Sequence, residues 1–311
     1  MSSETPREIR HVALLDLTGA GAAEALNGVR RISHVATILA HESLLARLSS
    51  IEMDHVAAVV PIPEGSQVRV LSGQLVLSGE ALANPNTDQE AVLVIAGQLV
   101  LTTPVERVGY KQLIIMGQLL APMGSETAIG AGLSRMGGQV QFYPYTPGAS
   151  VRALTGSIRL SGAELANPTG QPGDILLAVG QLVIEDVPEQ IGYQSIVAVG
   201  QVLAPRAGQA ALAGRLLPLV GQAVYYTAPP RLFEGTETFY GAYFELLDEP
   251  ITLVLDGTFT FDDDISIDVF KDKVAGIVFD GTLLAPRRLV PLLQARTLAR
   301  DGMITATDAA R

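Results

Sequence analysis

The sequence predicts a repeat solenoid of stacked parallel β coils, each about 20 residues long, with short helical inserts. Three observations carry this expectation. The stretch from Gly73 to Thr155 returns at once as Gly156 to Thr238, at a constant offset of 83 residues and without a gap. Leu82-Ala83-Asn84-Pro85 comes back as Leu165-Ala166-Asn167-Pro168, and Gly97-Gln98-Leu99-Val100 as Gly180-Gln181-Leu182-Val183. Within the unit, glycines at 73, 97, 117 and 138 each sit in a strand-length aliphatic run such as Val92 to Leu101, bounded by Pro, Gly, Asn or Asp. Finally, 48% hydrophobic residues with only 5% aromatic and no Trp suit a narrow core of small aliphatic layers. A β-helix and a leucine-rich-repeat-like β/α solenoid both satisfy this pattern.

In chain order, residues 1–72 read as diverged N-terminal βα coils. Strand-like His11 to Leu17, His34 to Ala40 and His55 to Val60 alternate with helix-like Ala20 to Val29 and Glu42 to Leu48. Subtracting the repeat offset from Gly117 and Gly138 lands on 34 and 55, where the last two strands are expected to begin. Residues 73–155 and 156–238 are the two full repeat units, with strands apolar on both faces, as in parallel sheets covered by helices. Residues 239–311 form an edited third unit, with Gly241 read as the counterpart of Gly73. A C-terminal helix from Val290 to Arg300 is expected, with Pro291 in its first turn, Asp301-Gly302 as its end and Met303 to Thr307 as a last strand. Markers near 14, 34, 55, 73, 97, 117, 138, 156, 180, 200, 221, 241, 257, 281 and 302 give about 15 coils in one continuous solenoid.

The bulk charge excludes some partners. A net charge of −11 argues against nucleic acid, which requires clustered Lys and Arg. The absence of Cys excludes a disulfide framework and thiolate metal sites. The polar start lacks the apolar core of a signal peptide, and apolar runs are broken well before the roughly 20 residues that span a bilayer. These features predict a soluble cytoplasmic protein.

Four features invite a chemical reading. Gln74, Gln98, Gln118, Gln139, Gln181, Gln201 and Gln222 each follow a marker Gly. Stacked coils would place them about 4.8 Å apart as an amide ladder, which favours a register-fixing role over a ligand-binding stripe. The tripeptide His-Val-Ala recurs at His11, His34 and His55. Three stacked imidazoles suggest a metal site, aided by His41 or Asp54, or a pH-sensitive stack; inheritance of one residue by related coils explains them without either. Asp262-Asp263-Asp264 lacks the Gly and distal Glu of a calcium loop and reads as a solvated insertion. The tail carries Arg287, Arg288, Arg296, Arg300 and Arg311 against Asp301 and Asp308, a basic face for a neighbouring subunit or, without further support, for membrane lipid. Phe142-Tyr143 and its repeat Tyr225-Tyr226 are expected to pack. No catalytic motif stands out, and the sequence implies no cofactor.

The uniform coils and repeats such as Val94-Ile95-Ala96-Gly97-Gln98-Leu99-Val100, from roughly Val68 to Ala285, resemble bactofilins, the bacterial polymer-forming β-helix proteins. The resemblance implies nucleotide-free polymerisation into filaments and a scaffolding role. A physical argument agrees with it, because an open-ended solenoid exposes strand edges that must be capped or paired, and end-to-end pairing of identical chains propagates. The expectation is a non-enzymatic protein that self-assembles end to end, its partner being itself. The alternatives are a monomeric binding scaffold presenting its Asn84-Pro85 and Asn167-Pro168 loops to a protein or glycan, and a His-metal enzyme.

Overall fold

A computed structural model describes residues 7–83 and 90–307. It is β-rich, with parallel strands in stacked sheets and, among the described residues, no helix longer than seven residues. The chain divides into two compact units, Met1–Pro147 and Gly148–Arg311.

In the first unit, β1 (Arg7–Leu17), β2 (Val29–His41) and β3 (Glu52–Ile62) pair in sequence order. Then come β4 (Val68–Leu71), β5 (Gln74–Leu77), β6 (Val92–Ile95), β7 (Gln98–Leu101), β8 (Gln112–Ile115), β9 (Gln118–Pro122), β10 (Leu133–Met136) and β11 (Gln139–Tyr143). They form two sheets, β4-β6-β8-β10 and β5-β7-β9-β11. Each rung of this second stack is therefore two short arms joined at a corner, Ala96-Gly97 for β6 and β7. The second unit holds β12 (Val151–Leu160), β13 (Ile175–Ile184), β14 (Ser195–Pro205) and β15 (Leu216–Tyr226) in one parallel sheet. Its other sheet is β16 (Pro230–Phe239), β17 (Ile251–Phe261), β18 (Val274–Pro286) and β19 (Thr297–Thr307). Here both arms belong to one strand bent at the glycine.

The repeat is the stack of four rungs. Gly156, Gly180, Gly200 and Gly221 stand opposite one another, and so do Gly235, Gly257, Gly281 and Gly302. At Gly200 the reason for glycine is plain. Its φ is 127°, and a Cβ there would lie 2.1 Å from the carbonyl oxygen of Gly180 on the rung before, a contact no side chain tolerates. In the first sheet the corner residues are His11, His34 and His55, with φ of 57°, 53° and 53°. That is the ordinary left-handed region, which His enters more readily than most residues.

The corner column corrects several expectations. His34 and His55 lie mid-strand rather than at strand starts, because the arm before the corner is also extended. The first rung turns at His11, not near 14. The fourth stack, β16 to β19, turns at Gly235, while Gly241 opens a helix, Gly241–Glu245. Gly241 is thus the counterpart of Gly79 and Gly162, which also open helical turns. All three N–H groups donate to the next rung: to Thr103 Oγ1 at 2.8 Å, to Asp186 Oδ1, and to Asp264 Oδ1 at 2.8 Å. The helix expected over 290–300 spans only Val290–Arg296. Thr297–Thr307 is the final strand, and Gly302 lies opposite Gly281 instead of ending a helix. The first expected insert shortens to Ala22–Ala25, while the second keeps its span as a 3₁₀ turn, Glu42–Leu44, leading into Leu45–Leu48.

Pairing does not run through one continuous ladder. Within the first unit β3 does not pair with β4, and within the second β15 does not pair with β16. Instead, the two stacks of each unit pack face to face. Leu39, Val60 and Ile62 of the first sheet share a cluster with Val92, Val94 and Ile114 of the second. Val183, Leu203 and Val224 likewise meet Val254, Val278 and Ala299. The opposite strand face covers each stack's own helical returns, as Leu176, Leu182 and Ile196 cover Leu165 and Leu212. Strands apolar on both faces therefore have helices on one side only.

Candidate functional site

The glutamine ladder sits just past the corner. Gln74, Gln98, Gln118 and Gln139 are in register, as are Gln181, Gln201 and Gln222. Gln98 Nε2 donates to Gln118 Oε1 at 2.7 Å, and Gln181 Nε2 to Gln201 Oε1 at 3.1 Å. Interior rungs hold their amides half-buried, whereas Gln74, Gln139 and Gln222 on terminal rungs are exposed. Gln98 Oε1 is buried without a partner among the described residues.

His11, His34 and His55 form a stack at the corner of the first sheet. Ring centroids are 5.0 and 4.7 Å apart, with interplanar angles of 27° and 12°. Asp54 Oδ1 lies 2.7 Å from His55 Nδ1, and its other oxygen accepts from Arg31 at 2.6 Å. That bond to Arg31 is the main cause holding the Asp54 carboxyl below the usual range. His41 is elsewhere, with Nε2 2.9 Å from the Thr18 carbonyl. Among the described residues no group of three His, Asp or Glu side chains is placed to hold a metal ion.

The basic tail is largely drawn into the fold. Arg288 Nε donates to Asp263 Oδ1 at 3.0 Å, and Arg296 Nη2 to the Lys271 carbonyl at 2.7 Å. Arg287 stands in the exposed turn after β18, and Arg300 lies on β19, opposite Phe279. Arg311 and Asp308 lie outside the described residues. Asp262-Asp263-Asp264 forms a turn that stitches rungs: Asp264 receives Gly241, Asp263 receives Arg288, and Asp262 Oδ1 accepts from the Asp264 N–H at 3.1 Å. Of the two Asn-Pro loops, Asn84-Pro85 lies outside the described residues. Asn167, at φ 49°, donates from Nδ2 to Asp174 Oδ2 at 3.1 Å within its own loop. Tyr143 and Tyr226 pack in the core, their hydroxyls donating to the Leu101 carbonyl at 2.6 Å and to the Ile184 carbonyl. Burial pushes the Tyr226 hydroxyl up to about 12.

One column escaped sequence reasoning. In the fourth stack, β16 to β19, an acid precedes every corner glycine: Glu234, Asp256, Asp280 and Asp301, in register. They line a groove of about 500 Å³ in the second unit, facing Gln181, Gln201 and Gln222. Desolvation first, then the charges of Asp301 and Asp256, raise the Asp280 carboxyl above its usual range. The signal was present as an acid-Gly pair at steps of 22, 24 and 21, but it was masked by reading Gly241 as the first corner.

The ends of the stacks carry the other distinctive surface. Met136 on β10 is 57% exposed, although its neighbour in register, Ile115, is fully buried. Leu217 and Val220 on β15 are 38% and 43% exposed, against 0% and 6% for Val197 and Val199 beneath them. Met303 on β19 reaches 61%. Among the described residues, each of these strands has one unpaired edge. No protein-family model, curated protein or solved structure matches the chain, so the site is defined by its geometry.

Proposed function

We propose that the chain is a non-catalytic structural protein, a β-solenoid scaffold that associates with copies of itself strand edge to strand edge. The observation that carries this reading is the exposure of aliphatic side chains on β10 and β15 at positions that interior rungs bury. Beside those side chains run unpaired backbone N–H and C=O groups, a template for a further strand. A second copy brings rungs of the same register and the same apolar columns. With one such edge in each unit, copies join into a filament or scaffold instead of stopping at a pair. This agrees with what the resemblance to bactofilins implies, and it calls for no cofactor, nucleotide or nucleic acid. The loop-presenting scaffold has less support, because Asn167 is tied into its own loop.

Negative-stain microscopy and light scattering over a range of concentrations test the proposal. Extended assemblies should form, and Val220→Lys, which puts a charge on the β15 edge, should shorten or abolish them while leaving the circular dichroism unchanged. A monodisperse monomer at every concentration would remove the proposal.

A further inference from the structure

The first rungs of the β4–β11, β12–β15 and β16–β19 stacks carry a charge in a column that interior rungs keep apolar. Four residues before the corner, interior rungs carry buried aliphatics: Leu93 and Leu113, Leu176 and Ile196, Leu253 and Ile277. On the first rung the same column holds an arginine each time, Arg69 on β4, Arg152 on β12 and Arg231 on β16. The last rungs hold Leu133, Leu216 and Thr297 there, without charge.

Two of the arginines reach into the end of their own core. Arg69 Nη1 donates to the Tyr110 hydroxyl at 3.0 Å, and Arg152 Nη1 to the Tyr193 hydroxyl at 3.1 Å. Both tyrosines are buried in the cores of their stacks. Among the described residues β4 and β12 are unpaired on that side, and nothing lies within 4 Å of where a Cβ would stand on Gly73 or Gly156. A strand laid there would bury a guanidinium against an aliphatic column, which is strongly unfavourable. Inward-pointing charge is a known means of closing an edge to strand addition. Two last rungs also carry an arginine, Arg135 on β10 in the column of Val94 and Ile114, and Arg300 on β19 in the column of Leu255 and Phe279, but Arg69 and Arg152 are the ones tied to a core hydroxyl and so held in place.

We propose that Arg69 and Arg152, held by buried tyrosine hydroxyls, are end plugs that forbid strand addition on β4 and β12, so that a second copy docks on last-rung edges, β10–β11 and β15 among them. The plugs decide which edges the self-association read above can use, and the inference rests on that reading for its partner. An Arg69→Met/Arg152→Met double variant keeps aliphatic bulk and removes the charge. Sedimentation and light scattering should show it associating at about tenfold lower concentration than the wild type, and to larger mass. Arg69→Lys/Arg152→Lys, which keeps the charge, should behave as wild type. A folded Met variant with wild-type mass at all concentrations overturns the plugs and leaves self-association standing. A monomeric wild type beside an associating Met variant keeps the plugs and overturns self-association. If the Met variant fails to fold, the lysine variant decides: association like that of the Met prediction would overturn the role of charge, and wild-type behaviour would support it.

Discussion

At the corner of every rung the chain faces a choice between backbone geometry and side-chain volume. Gly200 resolves it by having no Cβ, and it cannot be replaced cheaply. Gly200→Ala drives a methyl into the Gly180 carbonyl and strains a φ of 127°, so urea unfolding should show a loss of about 3 kcal/mol or a failure to fold. Gly214, which meets nothing within 4 Å, is the control, and its change to Ala should stay within about 0.5 kcal/mol. This part of the fold was legible in the sequence because the steric requirement repeats at every rung. The histidine corners were legible as a column but not as corners. Nothing in His-Val-Ala announces a left-handed residue, and the polar residues before it hid the extended arm Arg7 to Arg10.

The strand stack is the next scale, and its columns share chemistry as well as shape. The four carboxylates of β16 to β19 stand one above another, and the Asp280 carboxyl is raised by desolvation and by its neighbours. A raised folded value means that stability is fully present below the ordinary carboxylate range and is lost as pH rises through the folded value. Asp280→Asn should therefore match the wild type at acidic pH and melt higher than it at neutral pH, by an amount kept small by solvent screening. Equal melting temperatures at neutral pH would show the column to be electrically silent. Helix ends at this scale were harder to read. Val290 to Arg300 has helical composition throughout, yet the chain turns extended at Thr297 because the backbone of β18 offers a parallel partner. Tertiary pairing overrode local preference there. Ser161, by contrast, signals its helix openly, through a capping box with Glu164.

For the whole molecule, the sequence implied one long ladder, and the structure shows stacks that face each other within each unit. Periodicity could not reveal this. A strand apolar on both faces reads the same whether the second cover is a helix or another sheet, and only the clusters joining Leu39 to Val94 and Leu203 to Val254 distinguish the two. The site was partly legible: the glutamine and histidine columns follow from the repeat. The terminal edges could not be seen until the breaks in pairing were known, and the arginine plugs only acquire meaning once those breaks are placed. Arg300, read from sequence as part of a basic assembly face, stands on β19 in the column of buried Phe279.

The central claim is that copies of this chain join through β10–β11 and β15. Backbone hydrogen–deuterium exchange, measured on dilute and concentrated protein, reports directly on those edges. The account predicts that β15 and β10–β11 gain protection with concentration, while β4–β5 and β12 do not. Exchange that is independent of concentration at β15, or protection arising at β12, would contradict it.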